Sequence, residues 1–390
     1  MRVWVTAAIL SLQASLSQAT DVPGAVTPSD FPPQDAELVR LGRDLFHDPV
    51  LSAGGTLACA SCHAPARGAP VPPLARDTPS LVNLGAYDRG VLYRDGRLTA
   101  DPDAPFGLRL PGGAVLDRPL PSVLAAQAYS ALDRGIDAHA GRPAAPGSAA
   151  ATTARIAALP AYAEGFASVT GPRPLAPADI AMALAAYVTE SFRAIDSPFD
   201  AYLRGDRAAL TEEQIRGMEL FYGPAGCSTC HAGPFQTDQG FHAIGVPPRP
   251  GAEADPGRYG VTGLEEDRYR FRTPSLRNVA FTGPYGHNGA YGSLRAMVTH
   301  HLDPMAALTS YSGPDSGSGV HRVRLDSAPG TGDARLPIAG AIELAPVSLT
   351  TAEVDDLLAF LFALTDTGAL TPAGGAPDQL PSGLSLGPLR

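Results

Sequence analysis

All four cysteines of this 390-residue chain fall in two Cys-x-x-Cys pairs, each followed directly by histidine: C-A-S-C-H at 59–63 and C-S-T-C-H at 227–231. Thiols at that spacing can form a redox disulfide, help hold a zinc ion or attach a c-type haem. A disulfide pair has no use for the histidine. A zinc site would need the two pairs, 168 residues apart, to converge on one tetrahedral ion. Haem attachment uses every residue of the pattern. The two thiols add to the two vinyl groups as thioethers, and the histidine that follows reaches the iron as proximal ligand. The two copies therefore predict two covalently bound haems c, held by Cys59, Cys62 and His63 and by Cys227, Cys230 and His231.

Arg2, the apolar stretch Val3–Leu16 and the small-x-small triplet Ser17-Gln18-Ala19 predict a secretory signal over residues 1–19 and a periplasmic mature chain. A short membrane anchor is the alternative, but the stretch is interrupted by polar residues and is shorter than the ~20 residues a span requires. No later segment is apolar and long enough to cross a bilayer. The net charge of −10 argues against a nucleic-acid partner. All 29 basic residues are arginine, and 39 prolines and 42 glycines predict many loops.

The motifs divide the chain into two halves, expected at 20–198 and 199–390. Each motif follows a helix ending in G-x-x-L-F: one from Ala36 to Phe46, the other starting at Thr211, whose spacing to Gln214 is that of a capping box. Further helices are expected over Ser122–Arg134, Thr152–Thr170, Pro177–Ser191, Ser293–His301 and Thr350–Leu364. Segments 101–120, 232–262 and 303–346 read as loops, with Ser310–Gly332 long and polar. The expected fold is mostly α: two cytochrome-c-like haem domains joined by long loops, with few short strands.

Further segments extend the pattern: L-G-R-D-L-F-H-D-P-V-L-S at 41–52, T-P-S-L-V-N at 78–83, R-D-G-R at 94–97, F-R-T-P-S-L-R-N-V at 271–279 and G-P-Y-G-H-N-G at 283–289. In this order and spacing the chain, from about Leu41 to Leu364, resembles the bacterial dihaem cytochrome c peroxidases and their methylamine-utilisation (MauG-like) relatives. The resemblance implies a first haem, on His63, that reacts with hydrogen peroxide. It implies a second, on His231, that takes electrons from a small cytochrome c or cupredoxin. A sixth ligand closes the second iron. Counting from Pro284 places it at His301, with His300 the next choice and Met297 and Met305 nearby. A His/His pair would have a lower potential than His/Met.

The resemblance also implies a Gln and an acid over the open haem, which fall on Gln127 and Asp137, the acid one carbon shorter than the family's Glu. His139 competes with Asp137 as acid–base group. The family's proline four residues after the Gln is Ala131 here. The family's capping histidine between the first motif and T-P-S-L-V-N is missing from 64–77. The family's bridging tryptophan is replaced by Arg94, preceded by Tyr93; the single tryptophan, Trp4, lies in the signal. A calcium ion would take the Asn83 side chain and the backbone carbonyls of Thr282 and Pro284. His287 would bond a haem propionate or backbone, and His47, His242 and His321 would be structural or solvated. Three functions fit: a peroxidase, an oxidase that modifies a partner protein, and a dihaem electron carrier without peroxide chemistry.

Overall fold

The computed structural model describes residues 22–63, 79–87, 90–139, 148–313, 335–371 and 375–385, leaving out the side chains of residues 138, 139 and 148. The expected signal, His321 and most of Ser310–Gly332 lie outside these residues.

The fold is mostly helical and built from two similar halves. In the first, α1 (Ala36–His47) starts at Asp35, whose carboxylate accepts from the backbone N–H groups of Glu37 and Leu38. It packs against α6 (Pro177–Ser191). Between them lie α2 (Val123–Arg134), α3 (Ile136–His139), α4 (Ser148–Ala157) and α5 (Pro160–Thr170). In the second half α7 (Pro198–Leu203) leads to α8 (Glu212–Tyr222), which packs against α13 (Thr351–Ala363). Thr211 caps α8 as its spacing predicts: its hydroxyl accepts from Gln214 N, and Thr211 N donates to the Gln214 side chain. Short helices α9 (Tyr259–Thr262), α10 (Leu294–Leu302), α11 (Pro304–Ser310) and α12 (Arg335–Ala341) complete the set. The strands are short: β1 (Val91–Leu92), β2 (Leu98–Ala100) and β3 (Leu108–Arg109) form one antiparallel sheet, and β4 (Phe241–His242) pairs with β5 (Phe271–Arg272).

The halves repeat one another in detail. Gly42 of α1 lies where a Cβ would come within 1.9 Å of Ala183 O, and Gly217 of α8 where it would come within 1.9 Å of Asp356 O. Each glycine is thus the point at which two helix backbones touch. One turn later, Phe46 meets Tyr187 at 5.2 Å between ring centroids and 56°, and Phe221 meets Phe360 at 5.2 Å and 57°. Asn83 and Asn278 both adopt left-handed backbone, with φ of 59° and 57°. The Asn83 amide exchanges hydrogen bonds with the Ala194 backbone beyond α6, and Asn278 does the same with Asp366 beyond α13. The shared T-P-S-L-x-N motif is therefore a clamp that fastens each closing helix.

Three expectations need correction. The single helix over Thr152–Thr170 is two, because Pro160 starts a new helix with Leu159 as its N-cap. The loop over 303–346 contains α11 and α12, and Asp303 caps α11 through Ala306 N. The loop over 232–262 contains β4 and ends in α9. Contacts also cross between the halves at the chain ends: Val26 N donates to Asp200 in the second half, and Ser382 bonds Asp48 in the first.

One core draws its buried residues from Leu41 to Phe192 and the other from Phe199 to Leu364. Beside the second lies a fully buried ion pair, Arg277–Asp200, at 2.6 Å. Arg277 also donates to Pro234 O, so it ties the loop after the second motif to α7. Arg277→Leu leaves the Asp200 carboxylate buried without its cation. It should cost about 3–5 kcal/mol in denaturant unfolding, with much of the loss recovered when Asp200→Leu is added.

Candidate haem sites

Both motifs take the same backbone form. Each begins in a 3-10 turn, Cys59–Ser61 and Cys227–Thr229, and in each the histidine N–H donates to the first cysteine's carbonyl, at 2.9 Å and 3.0 Å. This turn brings two thiols and an imidazole together. None of the four cysteines is in a disulfide. Burial pushes the Cys59 and Cys227 thiols up to about 12, so they are neutral.

At the second site α10 presents two adjacent histidines with different fates. His300 is buried, and both its nitrogens are engaged: Nε2 donates to Ile244 O at 2.7 Å, so Nδ1 accepts from the Tyr291 hydroxyl at 2.8 Å. His301 Nδ1 donates to Met297 O at 2.9 Å, and His231 Nδ1 donates to Gln236 O at 3.1 Å. Each of these two rings therefore keeps an unprotonated Nε2, and a backbone carbonyl fixes its orientation. Burial holds His231 down at about 4, helped by the neighbouring His301, and burial lowers His301 as well. The two ring centroids lie 6.4 Å apart. Two imidazoles bound to one metal through nitrogen, at about 2.0 Å per bond, place their centroids about 6 Å apart. The spacing fits one iron between them. Nearby, Asp238, His242 and Glu343 form an ion-pair cluster at the edge of Cys230. His287 stacks on Phe271 with centroids 3.6 Å apart.

At the first site, residues 64–78 beyond His63 lie outside the description. Cys59 and Tyr93 pack against the same core. Gln127, on α2, has its side-chain oxygen buried without a hydrogen-bond partner, as a residue aimed into a ligand site would. Asp137 is turned to the 51–55 loop, its Oδ2 accepting Ala53 N–H at 2.7 Å. The His139 side chain lies outside the description. Arg94 pairs with Asp255 of the second half at 2.6 Å. Arg272, also of the second half, bonds the carbonyls of Tyr93 and Arg94 through its side chain and its N–H respectively. Sequence reasoning missed these cross-links, although Arg94 lies in the R-D-G-R segment and Arg272 in the F-R-T-P-S-L-R-N-V segment.

The expected calcium donors do not make a cage by themselves. Asn83 Oδ1 already accepts from Ala194 N at 2.7 Å, Thr282 and Pro284 would offer only their backbone carbonyls, and the set contains no carboxylate. Calcium takes about 6–8 oxygens. The duplicate clamp at Asn278 shows that an asparagine here has a structural task.

The profile of the di-haem cytochrome c peroxidase family matches residues 36–208. The cytochrome-c peroxidase IdrP1 of Denitromonas iodatirespirans is 30% identical over 90% of this chain and 86% of its own length. The chain belongs to the dihaem cytochrome c peroxidase family. The methylamine utilisation protein MauG of Methylorubrum extorquens is 31% identical over 69% of this chain and 70% of its own. The diheme peroxidase BthA of Burkholderia thailandensis superposes with a TM-score of 0.64 and 26% identity, over 94% of each chain. This member of the family is thus a peroxidase-like dihaem oxidoreductase with a mostly helical fold. Among the described residues no helix is long and apolar enough to cross a membrane.

Proposed function

We propose that the protein reduces hydrogen peroxide to water at a haem held by Cys59, Cys62 and His63. Electrons enter at a second haem held by Cys227, Cys230 and His231 and closed by His301. The observation that supports this most is the His231–His301 pair, 6.4 Å apart with each Nδ1 tied to a carbonyl. An iron held from both sides changes redox state without binding substrate, so peroxide falls to the other half. The haems, when bound, supply the redox-active irons and the open coordination position. The chain's own residues do the rest. The carbonyls of Gln236 and Met297 hold His231 and His301 neutral and oriented, and Gln127 offers a polar group to the peroxide. Arg272 and Arg94 tie the two halves together, which holds the two sites at a fixed separation. Each half carries one haem. The electron donor is a small cytochrome c or cupredoxin, and the protein works in the periplasm after loss of residues 1–19. Calcium is no part of the proposal.

The electron-carrier reading keeps one specific support, the commitment of Asp137 to Ala53. The ferric spectrum separates the two. One high-spin and one low-spin haem are expected, and two low-spin haems would favour the carrier. Oxidation of a partner protein through a bridge between the haems has less support, because Arg94 occupies the bridge position and is paired with Asp255.

A further inference from the structure

The two imidazoles of the second site are oriented by carbonyls of different kinds. His301 Nδ1 donates to Met297 O, four residues back in α10, so the helix itself aims the acceptor. His231 Nδ1 donates to Gln236 O, in the loop after the second motif, and a loop carbonyl needs something to aim it. Gln236 has φ of 47°, a left-handed conformation that glycine adopts without strain. The glutamine found there is fully buried. Its Nε2 donates to Gly233 O at 3.2 Å and to the Tyr222 hydroxyl oxygen at 3.4 Å, while Oε1 has no hydrogen-bond partner. An apolar side chain of similar size would leave no such orphan. What only the amide supplies is the pair of N–H donors. Tyr222 is a firm anchor. It ends α8, the helix before the motif, and its ring packs with those of Phe199, Phe221 and Phe360 in the second core. Gln236 therefore ties the loop after the motif to the helix before it. Ser275 and Arg277 hold the carbonyls of Phe235 and Pro234, so the loop keeps its place without Gln236, and the aim of the next carbonyl is what depends on the amide.

We propose that the Gln236 side chain is a positioning residue of the second haem: it fixes the carbonyl that accepts from His231 and thereby sets the potential of the iron. The assignment rests on the reading of this site as a haem held between His231 and His301. A firm hydrogen bond from Nδ1 makes the imidazole a more basic ligand, which favours the ferric iron. With the carbonyl released, the imidazole donates less and the potential rises.

The test is a spectroelectrochemical titration of the full-length, haem-loaded protein. Gln236→Met keeps the length of the side chain and removes both N–H donors. At a fixed ambient potential it should raise the ratio of reduced to oxidised second haem by on the order of tenfold, the scale on which partners behind a metal ligand act. Its low-spin electron paramagnetic resonance signal should broaden, because the His231 ring is no longer held to one orientation. Gln236→Gly loses the same donors without the backbone strain and should shift the potential in the same direction. Tyr222→Phe removes one of the two acceptors and should shift it by less, which keeps the assignment falsifiable if the Gln236 variants do not retain haem. Parent potential and parent signal in these variants, with only the melting temperature lowered, would reduce the side chain to packing and overturn the assignment while leaving the haem reading intact. A parent protein that lacks a low-spin haem with two histidine ligands removes the reading itself, and the assignment with it, before any variant is compared.

Discussion

Replacing His301 by alanine should leave both haems attached and open the second one. The ferric protein would then show two high-spin haems in place of one, so its high-spin signal should double and its low-spin signal should vanish. The reason is local. His301 has its Nδ1 on Met297 O, its Nε2 is unprotonated, and its ring centroid stands 6.4 Å from that of His231, the separation of two imidazoles on one metal. His300 cannot take over, because Ile244 O and the Tyr291 hydroxyl occupy both of its nitrogens. His301→Met should keep the haem six-coordinate and raise its potential by on the order of 0.2 V, since a thioether favours the reduced iron and axial ligands together span about 0.8 V. Redox titration of the two variants checks both statements. A low-spin second haem surviving in His301→Ala would assign the ligand elsewhere.

A valine at Gly217 should have the largest effect on stability, and a valine at Gly42 an equal one in the other half. At either position the new Cβ would sit 1.9 Å from a carbonyl oxygen of the crossing helix. The obstacle is backbone on both sides, so no rotamer change relieves it, and the helices must move apart. Overpacking of this kind costs about 3 kcal/mol or more, a fall in melting temperature on the order of 10 °C. The spectroscopic consequence should be divided between the halves. Gly217→Val loosens α8 against α13 and should lower the yield of haem attachment at Cys227 and Cys230. Gly42→Val loosens α1 against α6 and should act at Cys59 and Cys62. Mass spectrometry of attached haem, with thermal unfolding, reads both effects.

The repeat that makes these glycines equivalent is visible in the sequence as G-x-x-L-F, and the clamp as T-P-S-L-x-N. The patterns are legible, but what they bind is distant: Asn83 holds Ala194 and Asn278 holds Asp366. The capping box at Thr211 was legible in full because it is local. The count from Pro284 reached His301, but sequence could not separate it from His300. The separation depends on Ile244 and Tyr291, which lie beyond α10. The starts of α5 and α11 were written in the chain, as a proline following a break and as Asp303-Pro304, yet loop-like composition obscured α11. The bonds from Val26 to Asp200 and from Ser382 to Asp48 carry no periodic signal at all. Nor does the packing of α2 against β1 and β2. Local chemistry therefore predicts where haem attaches, whereas tertiary hydrogen bonding decides which side chains remain available to a ligand.

The most direct test of the account is a single-turnover reaction of the purified, haem-loaded protein with one equivalent of hydrogen peroxide, followed by rapid-scan absorbance. The account predicts a fast spectral change of the high-spin haem, with electrons then drawn from the His231–His301 haem and restored by a reduced small cytochrome c. An absence of reaction in both the ferric and the half-reduced protein would contradict it, and the chain would then be a dihaem carrier of electrons.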